Sequence, residues 1–91
     1  MNKIEYHKGI CNELNKIYEA KNSDYGDSFS ILRKKYPNAI LIRLTDKLLR
    51  LDRLVSGAVA KVKDESIKDT LLDMANYCIM EVMEMEAEDE L

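Results

Sequence analysis

Tryptophan is absent from this 91-residue chain, proline occurs once, glycine three times and cysteine twice. So few turn formers argue against a β-sandwich or barrel and leave helices as the default. Cys11 and Cys78 are too few for a disulfide framework and lack metal-site spacing. Long apolar runs are missing too. The longest are four residues, such as Ala39-Ile40-Leu41-Ile42, which excludes a transmembrane helix. The opening Met-Asn-Lys-Ile-Glu-Tyr-His-Lys lacks the apolar stretch of a secretory signal, so the expected location is the cytoplasm. A chain of this length makes one domain, residues 1–91, which buries about 60–70% of its unfolded surface.

The net charge of −3 conceals strong segregation. Residues 1–32 carry −1, residues 33–63 carry +7 and residues 64–91 carry −9. A basic block beside an acidic one suggests pairing in space, within a chain or between subunits. The overall acidity, and the lack of a basic run interleaved with aromatics, argue against nucleic acid as the partner.

Helical spacing of Ile4, His7, Ile10, Cys11, Leu14, Ile17 and Tyr18 predicts a first helix over about 3–21, ended by the turn formers of 22–27. Ser28 is placed to cap a short helix through about Tyr36. Pro37 fits the first turn of a second long helix, about 38–56, and Gly57 is placed to end it. Ser66-x-x-Asp69 resembles a capping box that opens a third long helix running to about 86. An acidic tail, 86–91, is expected to fray. The expected fold is all-α, with three long helices and one short one.

The second long helix combines a continuous apolar face (Ile40, Leu41, Leu44, Leu48, Leu51, Leu54) with a second patch at Ile42 and Leu49. Burial on two sides is the usual meaning of such a pattern. Between the patches runs a charged stripe of Arg43, Asp46, Arg50 and Arg53, with Lys47 at the edge of the larger face. On the third long helix, Glu65, Asp69, Asp73 and Asn76 align at i, i+4, i+8 and i+11. Stacked carboxylates repel unless cations neutralise them. Arg43, Lys47 and Arg50 could do so, and so could Mg²⁺, which takes one or two carboxylates together with substrate phosphates. Salt bridges between packed helices would give the same stripes. Lys21 falls within the apolar face of the first helix, just before Asp24-Tyr25-Gly26. His7 reads as a core-edge histidine, the two cysteines as small core hydrophobes, and Glu81-x-x-Glu84 as surface. A two-sided apolar helix beside a methionine-rich last helix predicts a homo-oligomer, a dimer or higher.

Three blocks carry a resemblance. They are Lys21-Asn-Ser-Asp24-Tyr25-Gly26, Ile42-Arg43-Leu-Thr-Asp46-Lys47-Leu-Leu-Arg50-Leu, and the run from Lys63 through Glu65, Ser66, Asp69, Thr70, Asp73 and Asn76 to Tyr77. In this order they resemble the nucleotide-modification-associated domain 1 family, small and mostly phage-borne relatives of the MazG-like all-α nucleoside triphosphate pyrophosphatases. The resemblance spans about residues 10–85.

It implies a MazG-like helical bundle completed by oligomerisation, in the host cytoplasm if phage-encoded, that binds a canonical or modified (deoxy)nucleotide. In the active enzymes, Glu-x-x-Glu on one helix and Glu-x-x-Asp on another hold Mg²⁺. Here Glu65, Asp69 and Asp73 match the second motif, whereas the first is replaced by Arg43-x-x-Asp46-Lys47-x-x-Arg50. The implied metal candidates are Asp46, Glu65, Asp69 and Asp73. Nucleotide contacts fall to Lys21, Asp24, Tyr25, Arg43, Lys47, Arg50, Asn76 and Tyr77. Three functions follow: a Mg²⁺-dependent pyrophosphohydrolase, a sponge sequestering a nucleotide immune signal without turnover, or a helical partner-binding module.

Overall fold

The computed structural model describes residues 2–25, 27–61 and 66–90, and of residues 24 and 25 the backbone. Four helices follow one another: α1 (Lys3–Tyr25), α2 (Ser28–Lys35), α3 (Ala39–Val55) and α4 (Ile67–Asp89). The described residues contain no strand, so the expected all-α class holds.

Local chemistry sets the helix ends. At the start of α1 the Asn2 side-chain oxygen accepts the Ile4 N–H at 2.9 Å. α3 closes in a Schellman motif: Gly57 sits at φ 110, its N–H reaches the Leu54 carbonyl, and the Ala58 N–H reaches Arg53. α4 opens with the expected capping box, in which Ser66 Oγ accepts the Asp69 N–H at 3.1 Å and the Asp69 carboxylate accepts the Ser66 N–H at 3.3 Å.

Several boundaries differ from expectation. α1 continues through Asn22, Ser23 and Asp24 to Tyr25 instead of stopping near residue 21. These residues are poor helix formers, but as a last exposed turn they can extend a helix already nucleated by three apolar turns. Asp27, not Ser28, occupies the cap position of α2 and makes no side-chain capping bond. Pro37 lies outside α3, in the turn before its cap Asn38, where the Ala39 N–H bonds the Tyr36 carbonyl at 2.9 Å. α4 runs on to Asp89, past the expected end.

α3 packs most extensively on α4, with α1 and α2 laid alongside. Among the described residues only Leu14, Phe29 and Ala39 are buried hydrophobics. Thr70 is fully buried, and its hydroxyl is satisfied within the helix by the Ser66 carbonyl at 2.8 Å. Of the broad α1 face, Leu14 is buried and Ile17 and Tyr18 are half-buried, whereas Ile4, His7, Ile10 and Cys11 are exposed. His7 is therefore not a core-edge residue; its Nδ1 lies 3.6 Å from Cys11 Sγ on the open side of α1. Cys78 is exposed as well, so neither cysteine packs as a core hydrophobe within this chain. On α3, Ile40, Leu44, Leu51 and Leu54 are half-buried, but Leu41, Leu48, Ile42 and Leu49 are exposed. Burial on two sides is not achieved within one copy of the chain.

Arg33 fastens α2 to the far end of α4. Its Nε donates to both Glu81 oxygens at 3.0 Å, and its Nη1 pairs with Glu88. These hydrogen bonds, Glu81 first and Glu88 second, hold the guanidinium pKa above its ordinary value. The last turn of α4 contains acids and no basic residue, opposite to what the helix dipole favours. Arg33 supplies the missing positive charge from a neighbouring helix.

Candidate functional site

All four helices contribute to a pocket of about 470 Å³. From α4 come Asp73, Asn76, Tyr77, Met80 and Glu84, whose spacing of i, i+3, i+4, i+7 and i+11 keeps them on one face. Tyr18, Lys21 and Asn22 enter from α1, Phe29 and Leu32 from α2, and Arg43 from α3. One part of the lining is therefore aromatic and thioether, and another part cationic and polar. The Phe29 and Tyr77 rings meet with centroids 5.8 Å apart and a 59° tilt. Phe29 is buried, which fixes the ring that Tyr77 leans on.

Asp73 is the electrostatic centre of this arrangement. Lys21 of α1 reaches its Oδ1 at 2.8 Å, and Lys47 of α3 reaches its Oδ2 at 3.4 Å. Asp73 and Lys47 are 18% and 15% exposed, whereas Lys21 is 57% exposed, so one lysine is fixed in the packing and the other stays free to move. Two ammoniums on one carboxylate leave a local positive spot at Asp73, which suits an incoming anion, while Asp27 and Glu84 bring negative charge to other parts of the lining. Asn76 is buried and donates from Nδ2 to the Leu14 carbonyl at 3.1 Å, tying α4 to α1 beneath the pocket.

The expected site residues separate into groups. Lys21, Arg43, Asp73, Asn76 and Tyr77 line the pocket together, and Lys47 joins them through Asp73. Arg50 is half-buried two turns beyond Arg43 on α3. The side chains of Asp24 and Tyr25, and the whole of Glu65, lie outside the described residues. Asp46 is exposed and does not line the pocket. Asp69 is held at the start of α4 by the Ser66 hydroxyl at 2.6 Å. That hydrogen bond is the main cause of an Asp69 pKa below its ordinary value. Among the described residues, no three His, Cys, Asp or Glu side chains are grouped to hold one metal ion. A Mg²⁺ ion carried in with phosphates needs only one or two carboxylates. Asp73 and Glu84 both line the pocket from α4, but eleven residues place them about 16 Å apart along the helix, so one ion could take only one of them.

Sequence reasoning missed Tyr18, Phe29 and Glu84 as pocket residues. Glu84 is half-buried in the lining and Glu81 is half-buried in its pairing with Arg33, so Glu81-x-x-Glu84 is not a plain solvated surface. The available signal was the helical spacing of Asp73, Tyr77, Met80 and Glu84. Of the acidic stripe, Asp73 lines the pocket whereas Asp69, one turn earlier, is held in the cap of α4.

By class, then, this is an all-α protein whose helices line an open cavity with aromatic side chains in one part and a mixture of cations and carboxylates in another. The family model described as nucleotide modification associated domain 1 matches residues 21–85. The chain belongs to that family. No curated protein and no solved structure matches it.

Proposed function

We propose that this protein binds a nucleotide in the pocket between its four helices. One observation carries the reading: an aromatic wall of Tyr18, Phe29 and Tyr77 lines the same cavity as Lys21, Arg43 and Asp73. A base has a π-face to lay against Tyr77 or Tyr18, and phosphates find Arg43 and the two lysines gathered at Asp73. Family membership supports a nucleotide as the ligand.

The reaction implied by the MazG-like resemblance is Mg²⁺-dependent pyrophosphohydrolysis of a canonical or modified nucleotide. Mg²⁺, when bound, would polarise the phosphates and activate water. Asp73 would be its carboxylate ligand from α4, because Glu84, eleven residues further on, lies about 16 Å away along the helix. Lys21, Lys47 and Arg43 would neutralise and orient the phosphates. A second reading, a phage-type sponge that retains a nucleotide signal without cleaving it, is favoured by the pairing of both Asp73 oxygens with lysine. A carboxylate so engaged grips an anion through its partners more readily than it activates water.

Thermal melting across a nucleotide panel with and without Mg²⁺ tests binding. A saturating ligand at 100 times its Kd adds about 2.7 kcal/mol of stability, and the shift should vanish in Arg43→Ala. If no nucleotide raises the melting temperature, the proposal fails. Recovering the ligand after heat denaturation separates the two readings: monophosphate and pyrophosphate indicate hydrolysis, and intact ligand indicates retention.

A further inference from the structure

Among the described residues, three carboxylates line the pocket, and each stands in a different situation. Asp73 has both oxygens on lysines, and Asp27 is exposed before the first turn of α2. Glu84 is half-buried, and no hydrogen bond or ion pair with another described residue engages it. Arg33 bonds Glu81 and Glu88, about one helical turn to either side of Glu84. The clamp therefore fixes this stretch of α4 without occupying Glu84 itself.

The surroundings of Glu84 differ from those of Asp73. Met80, one turn before it, and Leu32, next to the Arg33 that bonds Glu81, give this end an apolar lining. Tyr77, with Phe29 against it, stands between the two carboxylates on α4. A cationic spot, a ring and then an apolar end with an open carboxylate thus follow one another along the helix, over about 16 Å. A base, a ribose and a phosphate chain in line fill such a length; a free base or a free phosphate does not. With the phosphates at the lysines, the base meets Tyr77 and its far edge turns toward Glu84.

A carboxylate accepts two hydrogen bonds side by side and donates none. Among the common bases, guanine presents two adjacent donors on its pairing edge, the ring N1–H and the 2-amino group. Adenine and cytosine set an acceptor nitrogen beside the amino group, and uracil and thymine flank a single N–H with two carbonyls. Each of these aims a lone pair at the carboxylate. We infer that Glu84 reads the edge of the base and that the pocket takes guanine nucleotides, or modified ones that keep this pair of donors, an assignment that rests on the nucleotide reading of the pocket.

Titration with the triphosphates of guanosine, deoxyguanosine, inosine, adenosine, cytidine and uridine, with and without Mg²⁺, tests it. The guanosine and deoxyguanosine forms should bind alike, and about tenfold or more tighter than the adenosine, cytidine or uridine forms. Inosine, which lacks the 2-amino group, should fall between. Glu84→Gln keeps the size of the side chain but offers one donor and one acceptor. The preference should then move to adenosine and cytidine, whose amino group and ring nitrogen match the amide. Arg43→Ala should instead weaken every form alike, as loss of a phosphate contact does. Equal affinity for every base, or a guanosine preference that survives in Glu84→Gln, would overturn the assignment and leave nucleotide binding intact. If no triphosphate binds, the nucleotide reading fails and the base assignment falls with it. If Glu84→Gln does not fold, guanosine against inosine and adenosine in the unaltered chain decides alone.

Discussion

α4 mixes polar and apolar residues on both of its faces, and part of it reverses the ordinary order of an amphipathic helix. Turned inward are Asp73, Asn76, Tyr77, Glu81 and Glu84, all buried or half-buried; turned outward are Leu71, Cys78, Val82 and Met85, all exposed. A surface helix normally does the opposite. Three of the inward polar groups are held by partners: Asp73 by two lysines, Asn76 by the Leu14 carbonyl, and Glu81 by Arg33. Burial without such partners would cost several kcal/mol per group. The outward apolar groups have no partner within one copy. Polar residues held inside line a pocket, and the apolar residues held outside are left uncovered within one copy of the chain.

The sharpest way to break this contrast is to remove the aromatic that anchors the inner side. Phe29→Ala should cost about 3–5 kcal/mol. For a domain of this length, with a total stability of about 5–14 kcal/mol, that is a large fraction. Urea titration followed by helical circular dichroism measures it. A loss below about 1 kcal/mol would mean that the pocket side contributes little to the fold.

Next in size is the Arg33 clamp. Arg33→Met leaves Glu81 half-buried without its cation, so the melting temperature should fall by several degrees and α2 should become the first site of proteolysis. The double variant Arg33→Met with Glu81→Met should recover most of the loss, because an apolar pair of similar volume carries no stranded charge. Equal loss in single and double variants would show that the clamp acts through something other than its charges.

How much of this was legible beforehand follows the range of each interaction. Gly57 and the Ser66–Asp69 box are local devices, and their residues announce them within four positions. The meeting of α3 cations with the α4 carboxylate at Asp73 was legible as two charged stripes, because helical periodicity reports which residues share a face. Which turn of one stripe meets which turn of the other depends on the register between helices, and no single-helix pattern contains it. Hence Asp69 was grouped with Asp73 although it belongs to the cap, and Glu84 was set aside although it lines the pocket. Phe29 and Tyr18 went unnoticed because an aromatic in an apolar stripe looks the same whether it fills a core or walls a cavity. The exposure of Leu41, Leu48 and Cys78 was hidden for a related reason: an apolar face predicts burial, not the molecule that covers it.

The smallest expected effect sharpens the contrast from the start of α4, where a carboxylate works for the helix and not for the pocket. The Ser66 hydroxyl bond lowers the Asp69 pKa below its ordinary value. A depressed carboxylate pKa stabilises the fold above the unfolded value and loses that contribution as pH falls through the folded one. The melting temperature should therefore fall more steeply below about pH 4 in the native chain than in Ser66→Ala, which has already lost the cap. At neutral pH, Ser66→Ala should cost about 1 kcal/mol and leave nucleotide-induced stabilisation unchanged. If Ser66→Ala instead abolished that stabilisation, Asp69 would have to be returned to the ligand site, and the division of α4 into a capping turn and a binding face would not stand.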